Sequence, residues 1–459
     1  MSNFSDQVHI GRLSLIGEGR INSDLTIGVD LDSACSLRAN AGISSRGFQL
    51  FGSGFILEEQ QALDLLEDLG PGAELVIKRY RNGRDLSSTP RGAWVLDLFG
   101  YSEGEVRARW PRLYQIVLER VKPERDQNRR AAYRDNWWYF GEPRKVLRAA
   151  MNGLPRYIAT VETSKHRVFQ FLDASVAPDN KLVCIADESA FILGVLSSRV
   201  HAFWALRTGG RLGVGNDPVY VKSRSFECFP FPEAPTPLLE KISAHAEALD
   251  THRKLQQAKH SHLTITGMYN VLMKIRSGEQ LSAREKKDHE EGLVSVLKQL
   301  HDELDVAVFE AYGWPHDLSD EQILQRLVAL NQERAEEEKR GIVRWLRPDF
   351  QNPGATQPQQ RGLAGMDIDD SSEESDVTAT AVIASAPWPK KLPEQIAAIR
   401  DLVSPGTSWS ATAAANSFKS AKVEQVQEVM ESLASLGILI ELDGQSEPTW
   451  TAPRMSGGA

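Results

Sequence analysis

The residues best suited to chemistry in this sequence are the Arg and Lys side chains between Arg107 and Arg167. Fifteen Lys and Arg residues stand there against six Asp and Glu residues, a local formal charge of +9 in a chain of net charge −9. Most are Arg, whose planar fork of donors grips phosphate or the edge of guanine. Trp and Tyr residues between them offer stacking faces or a packed base. This basic island indicates a nucleic-acid surface. Its charge alone would fit RNA, DNA or an acidic protein.

Within the island, the segment from Lys122 to Arg130 is strongly polar. We expect its side chains to hold phosphates, and the alternative is a solvated helix face. The candidate phosphate contacts are Arg125, Asn128, Arg129 and Arg130. The neighbouring Trp137 and Trp138 are predicted to lie in the core rather than to stack on bases.

A second candidate group surrounds a predicted tight turn, Arg81-Asn82-Gly83-Arg84-Asp85, in which Asn-Gly favours positive φ. Asn can pair bidentately with adenine, and Arg can pair with guanine. The candidates for base contact here are Arg79, Arg81, Asn82 and Arg84. The alternative is a salt-bridged turn, with Asp85 and Asp97 as the partners of its Arg residues.

Two glycine-rich segments could suggest a phosphate or cofactor loop. Phe51-Gly-Ser-Gly-Phe is followed by an apolar strand rather than by a long helix, which favours a structural turn. Gly209 to Asn216 lacks the Lys-Ser/Thr pair of a phosphate loop. A flexible loop is the simpler interpretation, and DNA contact through residues such as Asn216 is the alternative.

Several enzyme classes lack support. The sequence contains no Asn-Pro-Pro or Asp-Pro-Pro motif, which orients the amino group of a target base in amino-methyltransferases. Pro178-Asp179-Asn180-Lys181 is interpreted as a turn, because no spaced acid-x-Lys partner of a nuclease motif follows. His260 and His262 are predicted to be a solvated pair, since no Cys or acid cluster supports a metal. No catalytic residue, cofactor site or metal site is therefore predicted in this chain.

Composition bounds the class of protein. The chain has 459 residues and 41% hydrophobic residues, enough for two to four domains with real cores. No run of eighteen apolar residues predicts a membrane span, and the polar start, Met1 to Asp6, resembles no signal region. The three Cys residues are widely spaced, which fits a reducing cytoplasm.

Hydrophobic periodicity predicts an α+β protein whose mixed α/β portion is followed by helices. Strand, turn and helix patterns alternate up to the prolines near residue 237, and a helical period of about 3.6 follows. An acidic segment rich in Gln, Pro, Gly and Ser is predicted to be disordered. Three helices and a hairpin after it suggest a winged helix. The predicted domains are 1–237, 238–348, the linker 349–387, and 388–459.

Several motifs together resemble the target-recognition and C-terminal region of MmeI-like DNA methyltransferases. The resemblance covers roughly residues 10 to 348. The motifs are Tyr80-Arg-Asn-Gly-Arg-Asp-Leu, Val121-Lys-Pro-Glu-Arg-Asp-Gln-Asn-Arg, Asn136-Trp-Trp-Tyr-Phe-Gly-Glu-Pro-Arg, Pro155-Arg-Tyr-Ile-Ala-Thr-Val-Glu-Thr-Ser-Lys-His-Arg, Gly213-Val-Gly-Asn-Asp-Pro and Phe229-Pro-Phe-Pro. That family comprises class I, S-adenosylmethionine-dependent adenine methyltransferases of restriction-modification and phage-defence systems, including the DISARM type.

The resemblance implies a role in reading double-stranded DNA. Lys165, His166 and Arg167, together with the turn at Arg81 to Arg84, would approach the groove. The target adenine would be flipped out of the duplex into a catalytic pocket. Residues 1–237 would be the DNA target-recognition domain, and the helices after them would dock a partner or brace that domain.

The family usually carries its catalytic domain, with an Asn-Pro-Pro-Tyr motif, upstream in the same polypeptide. This chain begins with Met1 almost where the recognition region would begin. The expectation is therefore a separate recognition subunit that works with an S-adenosylmethionine-binding methyltransferase chain and with other defence-system proteins. The alternative is a non-methylating DNA-binding regulator or scaffold of a defence complex, which the predicted winged helix motivates.

Overall fold

The computed structural model describes two long parts of the chain, residues 29–212 and 217–353. Near the C-terminal end it describes 386–389, 395–396, 398–399, 402, 409–419, 421–435, 439–442 and 449–451. The described residues belong to two compact units, Met1–Pro358 and Gln359–Ala459. Most of the predicted disordered linker, 349–387, lies outside the described residues. The predicted boundaries at residues 237, 348 and 387 stay predictions.

The strands of the first unit form two four-stranded sheets and a hairpin. In chain order they are β1 (Ser44–Arg46), β2 (Ile56–Leu57), β3 (Ile77–Arg81), β4 (Trp94–Leu96), β5 (Arg156–Val161), β6 (Phe169–Asp173), β7 (Ala177–Pro178), β8 (Leu182–Ile185), β9 (Gly210–Leu212) and β10 (Asp217–Val219). One sheet has the order β1-β8-β5-β6 with all neighbours antiparallel. The other has the order β2-β4-β3-β7, in which β3 and β7 are parallel.

Helices occupy most of the remaining chain in this unit. Those between β2 and β5 are α1 (Glu59–Leu69), α2 (Gly83–Ser87), α3 (Glu103–Arg109), α4 (Pro111–Arg120), α5 (Lys122–Asp126), α6 (Ala131–Asp135) and α7 (Lys145–Met151). The others are α8 (Ala190–Ser197), α9 (Arg199–Thr208), α10 (Lys222–Ser225), α11 (Thr236–Lys259), α12 (Ile265–Ser277), α13 (Ala283–Glu291), α14 (Val294–Ala311), α15 (Asp320–Lys339) and α16 (Pro348–Gln351). The predicted α+β class is confirmed.

The later helices share one hydrophobic core with the antiparallel sheet. Sheet residues such as Ile158 and Phe169 are fully buried together with residues of α8, α11, α12 and α14. Where α8 contacts α11, a Cβ on Gly194 of α8 would lie only 2.7 Å from Ile242 Cγ2 of α11. Only glycine permits this approach, so α11 packs tightly along the helix that covers the sheet.

Helices α3 and α15 begin with complete capping boxes, and two long helical stretches are each divided into two helices. Ser102 and Ser319 cap their helices with complete capping boxes. The apolar pattern from Ala190 to Leu206 is typical of one helix, but it forms two, because Ser198 is extended and caps the second. The stretch from Ala283 to Tyr312 contains the long helix α14 after the shorter α13, and the two are separated where Leu293 adopts a φ of 45°.

The described part of the second unit has its own small core. It contains β11 (Ala386–Pro387), β12 (Trp409–Ser410), α17 (Ala411–Asn416), β13 (Phe418–Lys419), α18 (Val423–Ser435), β14 (Ile440–Leu442) and β15 (Thr449–Thr451). A three-stranded sheet has the order β12-β15-β14, and Trp450 packs with apolar residues of α18. The winged-helix interpretation stays a prediction. Within the described ranges of both units, no helix is long and apolar enough to cross a membrane.

Candidate nucleic-acid interface

The predicted turn at Arg81 to Arg84 lies beside the connection between β5 and β6. A Cβ on Gly83, the first residue of α2, would come within 2.9 Å of Val161 Cγ1 at the end of β5. The buried Gln170 of β6 donates from Nε2 to the Leu86 carbonyl of α2 at 3.2 Å. Two segments that are about eighty residues apart in the sequence are therefore packed together.

The β9–β10 hairpin contacts the same connection. Ser164 N donates to the Pro218 carbonyl at 3.2 Å, and Tyr220 N donates to the Glu162 carbonyl at 2.7 Å. The hairpin thus continues the surface formed by α2 and the β5–β6 connection. We call this surface the loop site, defined as the described residues of 79–87, 162–168 and 209–220.

Asn82 is a helix cap rather than part of a tight turn. Its Oδ1 accepts from Asp85 N at 3.1 Å, while Asp85 Oδ2 accepts from Asn82 N at 2.9 Å. The φ of Asn82 is −114°, and Gly83 begins α2, so the prediction of a positive-φ Asn-Gly turn is wrong. Because the cap uses the amide oxygen, Asn82 is not free for bidentate pairing with adenine in this conformation.

Asp85 anchors α2 through a pair that the sequence interpretation did not anticipate. Its carboxylate accepts from Arg91 Nε at 3.0 Å and from Arg91 Nη2 at 2.9 Å. Burial would raise the pKa of Asp85, but hydrogen bonds from the Arg91 side chain and from two backbone amides outweigh it and hold the pKa below its ordinary value. Asp97 instead pairs bidentately with Arg148, at 2.8 Å for both bonds.

The Arg residues of the turn differ in their availability. Arg84 is exposed, and Arg79 is exposed with its guanidinium 5.3 Å from the Trp94 ring centroid. Arg81 is half-buried, and that burial lowers its pKa. Arg84 is therefore the residue of this segment best placed to reach a partner.

Gly83 gives a direct test of the packing between α2 and β5. We expect Gly83→Ala to lower the free energy of unfolding by about 1 kcal/mol, because the added methyl would press on the stiff Val161 side chain. Urea unfolding of both proteins measures the change. Gly104→Ala in α3 is the control: its Cβ meets nothing within 4 Å, so this exchange should stabilise the helix slightly. Equal effects at the two glycines would contradict the close approach.

Lys165 and His166 are held by one residue of the helical region. Asn270 Oδ1 of α12 lies 2.7 Å from Lys165 Nζ and 2.9 Å from His166 Nε2. Lys165 is exposed, whereas His166 is half-buried, and burial lowers the pKa of His166. The helix therefore fixes the position of two predicted DNA contacts.

Arg167 is tied into the loop site. Its Nη1 donates to the Val161 carbonyl and, at 3.1 Å, to Thr160 Oγ1. Its Nη2 reaches the Pro218 carbonyl at 3.4 Å, and its guanidinium lies 5.0 Å from the Tyr220 ring centroid. Burial lowers the pKa of Arg167 to about 10. These contacts make Arg167 a link between the β5–β6 connection and the hairpin rather than a free base contact.

Arg125 is a correction to the predicted phosphate contacts. Only 1% of it is exposed, and its Nη2 donates to the Leu50 carbonyl at 2.7 Å. The guanidinium lies between the rings of Phe55 and Tyr133, at 5.8 and 5.3 Å from their centroids. A side chain so enclosed cannot contact a phosphate in this structure. The polarity of the local sequence did not reveal this, because it does not show how the short helix α5 is packed.

The rest of the polar segment remains accessible. Arg129 and Arg130 are exposed. Arg130 Nη1 donates to Tyr133 Oη at 2.9 Å, which stiffens its side chain. Asn128 accepts from Arg130 N at 3.0 Å through Oδ1, so it organises the segment. Asn216, the remaining predicted contact, lies outside the described residues.

Packing settles the expectations for Trp137 and for the Phe51 loop. Trp137 is buried, as predicted, and Trp138 Nε1 donates to the Tyr101 carbonyl at 2.9 Å. The glycine-rich Phe51 loop is structural, because a Cβ on Gly54 would lie 2.5 Å from the Arg120 carbonyl. In the described ranges, no three His, Cys, Asp or Glu side chains form a group that could hold a metal.

The sequence interpretation missed a charged cluster beside the loop site. The buried carboxylate of Glu162 pairs with Arg46, the last residue of β1, and lies 3.6 Å from Lys181 Nζ. Both cations are mainly exposed. No local signal links these three residues, because the antiparallel pairing of β1, β8 and β5 is what brings them together. Asn270 was missed because only the packing of α12 brings it to Lys165 and His166.

Comparisons with known proteins show what this chain is similar to. Residues 47–233 match the family model described as the MmeI target recognition domain. The fold is similar to a solved structure of the type IIL restriction-modification enzyme MmeI in complex with DNA, with a TM-score of 0.52 and 19% identity. The alignment covers 70% of this chain and 40% of that chain. No curated protein shows a significant sequence match. Residues 47–233 of this chain are therefore similar to the MmeI target recognition domain.

Proposed function

We propose that this chain is the DNA sequence-recognition subunit of an adenine-N6 methyltransferase in a restriction-modification or anti-phage defence system. A separate chain would bind S-adenosylmethionine and transfer the methyl group. The observation that supports the proposal best is that the matched recognition domain, residues 47–233, contains all the described residues of the loop site. The solved relative MmeI is a restriction-modification enzyme in complex with DNA, which supports double-stranded DNA as the partner.

Two surfaces of the chain would divide the work of DNA binding. In the loop site, Arg84 and Lys165 are exposed and closely braced, which suits base contacts in a groove. Arg129 and Arg130 lie on a strongly basic segment, which suits contacts to the phosphate backbone. The target adenine would leave the duplex and enter the pocket of the catalytic chain.

The helices after the recognition domain would hold the loop site and dock the catalytic chain. Their bracing role is supported by the contacts of α11 and α12. Arg253 Nη2 donates to the Phe169 carbonyl at 2.8 Å, and Lys254 Nζ donates to the Phe171 carbonyl at 2.7 Å. Both carbonyls belong to β6, the strand that follows the Lys165–Arg167 connection.

Methyl transfer separates the two-chain proposal from its alternatives. The purified chain is incubated with labelled S-adenosylmethionine and randomised duplex DNA, alone and with a candidate catalytic chain that carries an Asn-Pro-Pro-Tyr motif. We expect site-specific methylation only when both chains are present. Methylation by this chain alone would refute the separate catalytic subunit. Sequence-selective binding without any effect on methylation would instead favour a DNA-binding regulator or scaffold.

A further inference from the structure

We propose that Asn270, on α12, makes His166 a reader of bases that carry an exocyclic amino group. This inference rests on the proposed function, in which the loop site faces the edges of DNA bases. It adds a residue outside the matched recognition domain, because Asn270 follows residue 233. Asn270 would act as a positioning residue, and His166 would make the base contact.

The two partners of Asn270 determine the orientation of its amide. Lys165 Nζ lies 2.7 Å from the amide atom assigned as Oδ1, and an ammonium group can only donate hydrogen bonds. The atom between Lys165 and His166 must therefore be the oxygen. His166 Nε2, 2.9 Å from the same oxygen, must then carry a hydrogen.

The surroundings of His166 favour the neutral imidazole. The side chains packed near it from α2, β5, β6 and α12 are uncharged, and they include Leu86, Val161, Gln170 and Ile265. The nearby charged group is the cationic Lys165, and the buried Tyr269 lies beside the ring, with centroids 5.9 Å apart. Burial lowers the pKa of His166 and Lys165 acts in the same direction, while the hydrogen bond to Asn270 raises it, and the net shift is downward. With Nε2 protonated and the ring neutral, Nδ1 is a hydrogen-bond acceptor.

An acceptor at Nδ1 selects among bases. In the major groove, adenine N6 and cytosine N4 are donors, whereas guanine O6 and thymine O4 are acceptors. A neutral His166 with this tautomer therefore matches adenine or cytosine. An imidazolium, which donates from both nitrogens, would instead match the acceptors of guanine, thymine or adenine N7, so the preference for amino groups would be lost.

The support beneath Asn270 is stiff enough to hold this arrangement. Its neighbour Tyr269 is buried, and Tyr269 Oη lies 3.1 Å from Arg253 Nη1 and 2.7 Å from His301 Nε2. These contacts join α12 to α11 and α14. Three packed helices therefore set the position of Asn270. Asn270 in turn holds Lys165 and His166 of the β5–β6 connection in place.

Three full-length variants and a randomised duplex library test the inference. Asn270→Asp keeps an acceptor for Nε2 but places a carboxylate beside the ring, which favours imidazolium. Asn270→Leu removes the acceptor. Asn152→Asp, at the exposed end of α7 outside the loop site, is the control for added charge. Each protein is used to select bound sequences at pH 6 and pH 8.5.

For the wild-type chain we expect one position at which adenine or cytosine is preferred. In the Asn270→Asp variant that preference should be about tenfold smaller at pH 6 and should be partly restored at pH 8.5. Asn270→Leu should lose the preference at both pH values, and Asn152→Asp should retain it. Unchanged selection by both Asn270 variants would overturn the inference. Failure of the wild-type chain to enrich any sequence would instead count against the proposed function.

A measurement on the wild-type chain tests the inference even if the Asn270 variants fail to fold. Nitrogen-15 chemical shifts of labelled His side chains report the tautomer directly, and His166→Gln assigns the signal. We expect a neutral ring with hydrogen on Nε2 at pH 7. A ring protonated on Nδ1, or a charged ring, would contradict the inference even without any DNA experiment.

Discussion

Replacing Asp85 by Ala is expected to lower the free energy of unfolding by about 3 kcal/mol. The change removes the buried partner of Arg91 and, with it, one half of the capping box of α2. The backbone N–H groups of Asn82 and Arg91 would lose their acceptor, which costs more than the direct interactions gain, whereas the Arg91 side chain is 42% exposed and can turn to water. Because α2 carries Arg84, sequence-selective DNA binding should fall as well. Urea unfolding and binding to a selected duplex measure the two effects.

The effect of Asp85 should depend on pH with a definite sign. The pKa of the folded carboxyl lies below its ordinary value, so its contribution is present above about pH 4 and is lost as the pH falls through the folded pKa. The difference in unfolding free energy between wild type and Asp85→Ala should be constant from about pH 5 to 8 and smaller below about pH 4. Asp68→Ala is the matched control. Its pair with Arg112 is exposed on both sides, so its loss should cost less than about 1 kcal/mol.

Replacing both Arg129 and Arg130 by Ala is expected to weaken binding to every duplex sequence to a similar degree. Each phosphate contact that is lost should reduce the slope of log K against log salt by about 0.9, so the double variant should lose up to about 1.8. At low salt this predicts a fall in affinity on the order of ten- to a hundredfold. Titrations of labelled duplexes over a range of salt concentrations provide the measurement.

Two comparison proteins make that result specific. Arg284→Ala combined with Lys286→Ala removes the same charge from the exposed face of α13 and should leave the salt slope nearly unchanged. Arg84→Ala should instead relax preference at particular bases with a smaller change in salt dependence. If Arg84→Ala and the Arg129/Arg130 double variant behave alike, the proposed division between base and phosphate contacts is wrong.

Local patterns predicted the elements but not all of their boundaries. The caps at Ser102 and Ser319 were predictable because a capping box lies within four consecutive residues. The break at Ser198 was not, since the apolar residues on both sides continue one helical pattern. At Asn82 the same Asn-Gly pair that forms tight turns serves as a helix cap. Asp85, three residues later, completes the capping box, and the bond to Arg91 holds it there.

For the candidate site, residue types were better predicted than residue roles. Arg125 and Arg129 stand in one polar segment and are the same residue type, yet one is buried and the other is exposed. The difference depends on the Phe55 and Tyr133 rings that enclose Arg125. Phe55 is distant from Arg125 in the sequence, so composition and spacing within the segment carry no trace of this enclosure.

The sequence by itself determined the α+β class, the basic and aromatic segments, and the motifs of an MmeI-like recognition domain. These are properties of residue types and of short spacings, which local chemistry specifies. Only the tertiary structure decided which charged groups are available and which residues hold them. Antiparallel pairing joins Arg46, Glu162 and Lys181, and the packing of α12 brings Asn270 to Lys165 and His166. Contacts across a hundred residues depend on how sheets and helices share a core, which no local pattern encodes.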